Sequence, residues 1–198
     1  MRTGIFGGSF NPPHLGHMHL AESVHEALGL DEVLLVPSRI SPHRSMAEYA
    51  PAQDRLEMCR LAAAHYPWMR AEDFELRQEG VSYTYYTVRH FAEERPEDEL
   101  WLLMGSDMLL SFHKWFRWQD ILQFAGLAGI AREPGEYERL TDCAAELRQY
   151  GKVQVVNVES FAVSSTKIRE LVKKSQDYSC YLPGNIVQYI RMQKLYET

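Results

Sequence analysis

Cysteine is scarce in this chain, and the few present do not form pairs. Cys59, Cys143 and Cys180 are odd in number and far apart, and no C-x-x-C occurs. That excludes a disulfide framework and a cysteine-built zinc site, and it suits reduced thiols in a cytoplasmic setting. No run of 18 apolar residues exists, so a membrane-spanning helix is not expected. The first residues lack the apolar core of a secretion signal, which again points to the cytoplasm. Basic residues do not dominate: 21 Lys and Arg face 27 Asp and Glu, for a net charge of −6. A general nucleic-acid binder is usually basic, so nucleic acid is not the expected partner. A local basic pocket for a small anion stays open. Repeats, low-complexity tracts and linkers are absent. The 198 residues are expected to form one domain over 1–198, with 165–198 as a C-terminal helical portion. Two glycine motifs are also missing. Without G-x-G-x-x-G or G-x-x-x-x-G-K-[ST], hydride transfer and P-loop hydrolysis are disfavoured.

What is present is concentrated in eleven residues, Gly7-Gly8-Ser9-Phe10-Asn11-Pro12-Pro13-His14-Leu15-Gly16-His17. They follow a short apolar strand and lead into an amphipathic helix. Glycines allow close backbone approach to a ligand. A helix start presents free N–H groups and so attracts anions. Two histidines three residues apart at that start make a phosphate-handling site the first hypothesis. A metal held by His14 and His17 lacks a nearby carboxylate or cysteine to complete its ligand set. Two merely structural histidines leave the flanking Gly-Gly and Pro-Pro unexplained.

Strand and helix signals alternate along the chain. Strands are expected at Arg2–Phe6, Glu32–Val36, Met69–Phe74, Leu100–Met104, Leu127–Ala131 and Val153–Val158. Helices are expected at Leu15–Leu28 with Gly29 as the stop, from Pro51 to about His65, and from a Ser82 cap through Phe91. Further helices are expected after Gly105-Ser106-Asp107, with Trp115, Phe116 and Trp118 clustered in an apolar helix, and at Glu136–Tyr150, Thr166–Lys174 and Ile186–Leu195. Strands each followed by a helix imply an α/β fold. The expected form is a Rossmann-like, doubly wound parallel sheet of five to six strands with helices on both faces. Ligands in such folds sit at the carboxyl ends of strands. The loops at 7–14, 36–44, 104–107 and 159–166 all lie there.

These loops carry a family resemblance. GGSFNPPHLGH resembles the GG(T/S)F(D/N)PxHxGH signature of the H-x-G-H nucleotidyltransferases. PSRISPHR (37–44), RLEM (55–58), SYTYYTVRHF (82–91), MGSDMLLSFHKW (104–115), VSSTKIR (163–169) and YLP…VQYIRMQKLY (181–196) narrow the likeness. Together they look like bacterial nicotinate-nucleotide adenylyltransferases over essentially the whole chain. The resemblance implies that a phosphate oxygen of nicotinate mononucleotide attacks the α-phosphorus of ATP. Nicotinate adenine dinucleotide forms and pyrophosphate leaves, a step of NAD biosynthesis. The nucleophile is already ionised, so positioning and charge stabilisation should carry catalysis. Mg2+ is implied through the ATP phosphates, with no dedicated protein ligands.

The resemblance also implies residue roles. His14, His17, Arg44 and Arg169 are the expected catalytic groups. Gly7, Gly8, Ser9, Phe10, Gly105, Asp107, Arg132, Ser165 and Thr166 join both histidines and Arg169 on the ATP side. Ser9, Arg44, Thr84, Asp107, Lys114, Trp115 and Phe116 serve the mononucleotide, Trp115 by stacking on the pyridine ring. Thr84 and Phe116 would read its carboxylate through backbone amides. Arg44 stands where the family usually has lysine, and Tyr86 where it commonly has aspartate. The same reaction on nicotinamide mononucleotide and a silent nucleotide sensor are the competing readings. The sequence leaves a homo-oligomer open.

Overall fold

Alternate residues of a strand face opposite sides, and here both sets are apolar, so every strand needs cover above and below. The computed structural model describes residues 1–39, 49–159 and 161–197. The strands are β1 (Arg2–Gly8), β2 (Glu32–Pro37), β3 (Met69–Ala71), β4 (Glu99–Gly105), β5 (Ala125–Ala131) and β6 (Val153–Asn157). They form one parallel sheet in the order β3-β2-β1-β4-β5-β6. The α-helices are α1 (Leu15–Leu28), α2 (Ala52–Ala63), α3 (Phe74–Arg77), α4 (Thr84–Glu94), α5 (Ser106–Leu110), α6 (Trp118–Phe124), α7 (Glu136–Leu147), α8 (Ser165–Lys173) and α9 (Gly184–Gln193). Short 3-10 turns cover Phe112–Lys114 and Ser179–Tyr181.

The two faces carry separate cores. Phe6, Leu35, Trp101, Leu103, Ile130 and Val156 pack beneath α1, α2, α8 and α9. Ile5, Leu34, Leu102, Met104, Leu127 and Val153 pack beneath α4, α5, α6 and α7. The sequence positions alternate between the two sets, as a two-sided sheet requires. The order of strands also sets the place of the site. The chain winds outward from β1 to β3, then restarts beside β1 with β4 and winds the other way. The loops after β1 and β4 therefore part, leaving a crevice at the carboxyl ends of the strands.

The expected elements appear, with shifted boundaries. Gly29 closes α1 in the left-handed region at φ 57°. The third strand stops at Ala71, and Phe74 instead opens α3, a helix too short to show periodicity. Ser82 does not cap the following helix. Tyr83 holds that position, and the Ser82 hydroxyl accepts the Arg39 N–H at 3.1 Å. Trp115 is not helical but extended, after the turn at 112–114, and α6 starts at Trp118. The fifth strand begins two residues early, at Ala125, and α7 ends at Leu147 rather than Tyr150. The last helix begins at Gly184 and ends at Gln193, with Lys194 in the left-handed region. Among the described residues, no helix is long and apolar enough to cross a membrane.

Candidate active site

The start of α1 is capped by imidazoles instead of the usual hydroxyl or carboxylate. His14 is the N-cap, and its Nδ1 accepts the His17 backbone N–H at 3.3 Å. His17 answers, its Nδ1 accepting the His14 N–H at 3.2 Å. This reciprocal box settles the chemistry of both rings. A nitrogen that accepts carries no proton, so the proton of each neutral ring sits on Nε2. The rings stack at 3.7 Å between centroids. Gly16 lies between them in sequence, and a Cβ there would meet Val163 Cγ1 at 2.9 Å and His14 Nδ1 at 3.1 Å. Glycine at this position keeps the His14 ring and the 163 loop in place. Phe10 sits at φ 45° and is buried, its ring edge-on to His17 at 5.2 Å and to Phe6 at 5.6 Å.

Burial pushes the His14 pKa down to about 4, and the nearby Arg132 charge adds to the effect against its own backbone hydrogen bond. The ring is thus neutral at pH 7 and acts as an N–H donor, not a cation. The folded-state value lies below the unfolded value near 6.5, so protonation opposes folding. Stability from this group is complete above about pH 6.5 and is lost as pH falls towards 4. The melting temperature should be flat above about pH 7 and decline from there to pH 4. His14→Gln should flatten part of that decline. An identical slope in the variant would rule out His14 as its source.

Loops from several strands close a cleft of about 430 Å³ around this helix start. Of the residues singled out in the sequence, Gly7, Gly8, Ser9, His14, His17, Thr84, Gly105, Asp107, Trp115, Arg132, Ser165 and Thr166 line it. Four others do not. Phe10 lies in the core and supports His17. Arg169 is turned to the signature loop, where its Nη1 donates to the Asn11 carbonyl at 3.0 Å. Lys114 and Phe116 are exposed beside the cleft without forming its wall. Arg44 lies outside the described residues. Tyr86 is also off the wall, exposed and set against the buried Tyr85 and the exposed Phe116 at 5.2 and 5.9 Å.

The walls are braced from behind. The N-cap of α8 is Ser164, whose hydroxyl accepts the Lys167 N–H at 3.2 Å. The Ser165 hydroxyl donates to the Pro12 carbonyl at 2.9 Å, joining α8 to the signature loop. Asn11 Oδ1 accepts the Ala50 N–H at 2.9 Å and the Tyr196 hydroxyl at 2.8 Å. The Glu136 carboxylate gathers the Ser106 hydroxyl at 2.6 Å and the Arg132 and Glu133 amides at 2.8 and 3.0 Å. Burial works against its charge, but those donors and the Arg132 side chain hold its pKa below the usual value. The loop carrying Arg132 is thereby fixed.

Several residues at the site were not singled out in the sequence. Arg55, within RLEM, is fully buried and donates to the carbonyls of Ser9, Ser38 and Ala50 at 2.8, 2.7 and 3.2 Å. Its signal is visible in retrospect. Arg55 lies on the buried stripe of α2 with Cys59 and Ala62, and a charge on such a stripe implies internal partners. Ser38, Glu75, Ser82 and Thr87 line the cleft as well. Neither propensity nor periodicity marks Ser38, Glu75 or Thr87, and Ser82 stands out in the sequence only as a helix cap.

A parallel sheet with a histidine-capped helix start at its switch point defines an α/β nucleotidyltransferase. The model of the cytidylyltransferase-like family matches residues 5–171. A nicotinate-nucleotide adenylyltransferase of Bacillus subtilis (strain 168) is 33% identical over 197 residues, covering 100% of this chain and 99% of the relative. The chain belongs to the nicotinate-nucleotide adenylyltransferases. Its fold is shared with nicotinic acid mononucleotide adenylyltransferase of Plasmodium falciparum. Complexed with NaAD, that structure matches with TM-score 0.80 at 18% identity, over 99% of this chain and 97% of the other. Complexed with APC, it matches with TM-score 0.78 over the same shares.

Proposed function

We propose that this protein transfers the adenylyl group of ATP to nicotinate mononucleotide, giving nicotinate adenine dinucleotide and pyrophosphate. The observation that carries this reading is the reciprocal cap of α1. It leaves two stacked imidazoles with their protons on Nε2 at the edge of the cleft. Neutral N–H donors suit polyphosphate, since they stabilise charge without needing a proton transfer. The substrate phosphate attacks the α-phosphorus, the α–β bridging bond breaks, and the electron pair leaves with pyrophosphate. His14 and His17 steady the phosphates, and Gly8 and Ser9 let them approach the end of β1. Ser165 and Thr166 bring the free N–H groups of α8 to the same anion. Arg132 and Gly105 serve the adenosine side. Arg44 adds a cation to the phosphates. Arg169 acts indirectly, by holding the loop through Asn11. Trp115 stacks on the pyridine ring, and Lys114 and Phe116 contribute at its margin.

Mg2+ fits this wall as a guest of ATP. Among the described residues, no cluster of three or more His, Cys, Asp or Glu is arranged as a metal cage. Asp107 on the wall would offer one oxygen to an ion held mainly by the ATP phosphates and water, and Mg2+ needs few protein ligands. When bound, the ion neutralises phosphate charge.

The test is pyrophosphate release from ATP, Mg2+ and nicotinate mononucleotide, with nicotinamide mononucleotide in parallel. Release is expected with the nicotinate substrate, at a rate exceeding that with the amide. ATP binding without release from either substrate would leave a nucleotide sensor as the better reading.

A further inference from the structure

The first turn of α4 faces the cleft through Thr84, yet no side chain caps it. Tyr83 occupies the N-cap and makes no side-chain hydrogen bond to the helix. Uncapped amides at a helix start must be held in register if they are to meet an anion. Nothing within α4 supplies that register. Behind it lies Glu75, on the short helix α3 and only 7% exposed. Its Oε1 accepts the hydroxyl of Thr87, one turn into α4, at 2.7 Å. The Ser82 hydroxyl, just before α4, also bonds to this carboxylate. Ser82 Oγ in turn accepts the Arg39 N–H beyond β2. One carboxyl group thus ties α3, the entry to α4, its second turn and the end of β2. All of Glu75, Ser82, Thr84 and Thr87 line the same cleft.

We propose that Glu75 is a positioning residue for the pyridine carboxylate: it fixes the free amides at the start of α4 where that anion docks. The inference rests on the mononucleotide reading above. A buried acid behind an anion site looks contradictory, but burial pushes the Glu75 pKa up, towards the uncharged acid, against the pull of its two hydroxyl partners and the Arg55 charge. Ser38 supports a ligand at this corner. Its hydroxyl is buried, lines the cleft and has no hydrogen-bond partner among the described residues, an arrangement that costs free energy unless something polar arrives.

The test is steady-state kinetics of Glu75→Ala, Glu75→Gln and Thr87→Val, with melting temperatures alongside. Glu75→Ala and Thr87→Val should raise the KM for nicotinate mononucleotide about tenfold, with the KM for ATP and kcat within about threefold of wild type. Glu75→Gln keeps an acceptor for Thr87, so its KM should return to within about threefold of wild type. A merely structural role would lower melting temperature without splitting the two KM values. If Glu75→Ala does not fold, Thr87→Val decides. An unchanged mononucleotide KM in Thr87→Val, or parallel changes in both KM values, overturns the proposal. Either result with a fully active wild type leaves the reaction assignment standing, whereas an inert wild type overturns both.

Discussion

Replacing His17 by alanine should lower turnover about 100- to 1000-fold, the usual cost of removing one preorganised donor from a developing negative charge. Its effect on the affinity for nicotinate mononucleotide should stay within about threefold. The asymmetry follows from geometry. His17 belongs to the cap of α1, next to His14 and the glycine loop, whereas Thr84 and Trp115 come from separate elements. The variant also loses one half of the reciprocal cap, at a cost of about 1 kcal/mol to the helix start. That loss should appear as a modest fall in melting temperature. Turnover by stopped-flow or coupled assay and mononucleotide binding by calorimetry separate the two effects. Unchanged turnover would sink the assigned role.

Arg55→Ala should be the most destabilising single change near the site, at about 3–5 kcal/mol. Three carbonyls lose their donor at once, and the space left by a fully buried side chain cannot be refilled from solvent without rearrangement. Two of those carbonyls belong to Ser9 and Ser38, which line the cleft side by side at the ends of the paired strands β1 and β2. Activity should therefore fall further than the unfolded fraction explains. Arg55→Lys keeps the charge but cannot reach three acceptors with one compact ammonium, so it should lie between the two. Urea denaturation gives the stability difference. A change below about 1 kcal/mol for the alanine variant would show that the guanidinium is dispensable.

The strand signals and the signature were readable from the sequence because both depend on short-range pattern. Glu32–Pro37 and Glu99–Gly105 announce themselves as apolar runs bounded by turns, and His14 and Gly16 sit where a helix must begin. The parallel sheet followed from alternation of type, but the order of its strands did not. What could not be read depends on contacts distant in sequence. Glu75 works through Thr87 and Ser82, and Arg55 through Ser9 and Ser38, and no local pattern states these pairings. The four-residue helix Phe74–Arg77 is shorter than any period that would reveal it. Lys114, Phe116 and Arg169 carry plausible chemistry in the right motifs, but a motif fixes a position along the backbone and not the direction of a side chain. Phe10 illustrates the same limit, since its positive φ turns the ring inward to hold His17.

The bonds that brace the signature loop also bear on when the protein becomes competent during synthesis. Asn11 leaves the ribosome before any of its long-range partners. Its side chain pairs with Tyr196, its carbonyl with Arg169, and the neighbouring Pro12 carbonyl with Ser165. The three pairs span 185, 158 and 153 residues respectively. Contacts of such long range form late, after the intervening chain has been ordered. A nascent chain can hold β1 and α1 together early and still lack a finished phosphate loop. Chains that stop short of these partners should thus be inert rather than weakly active.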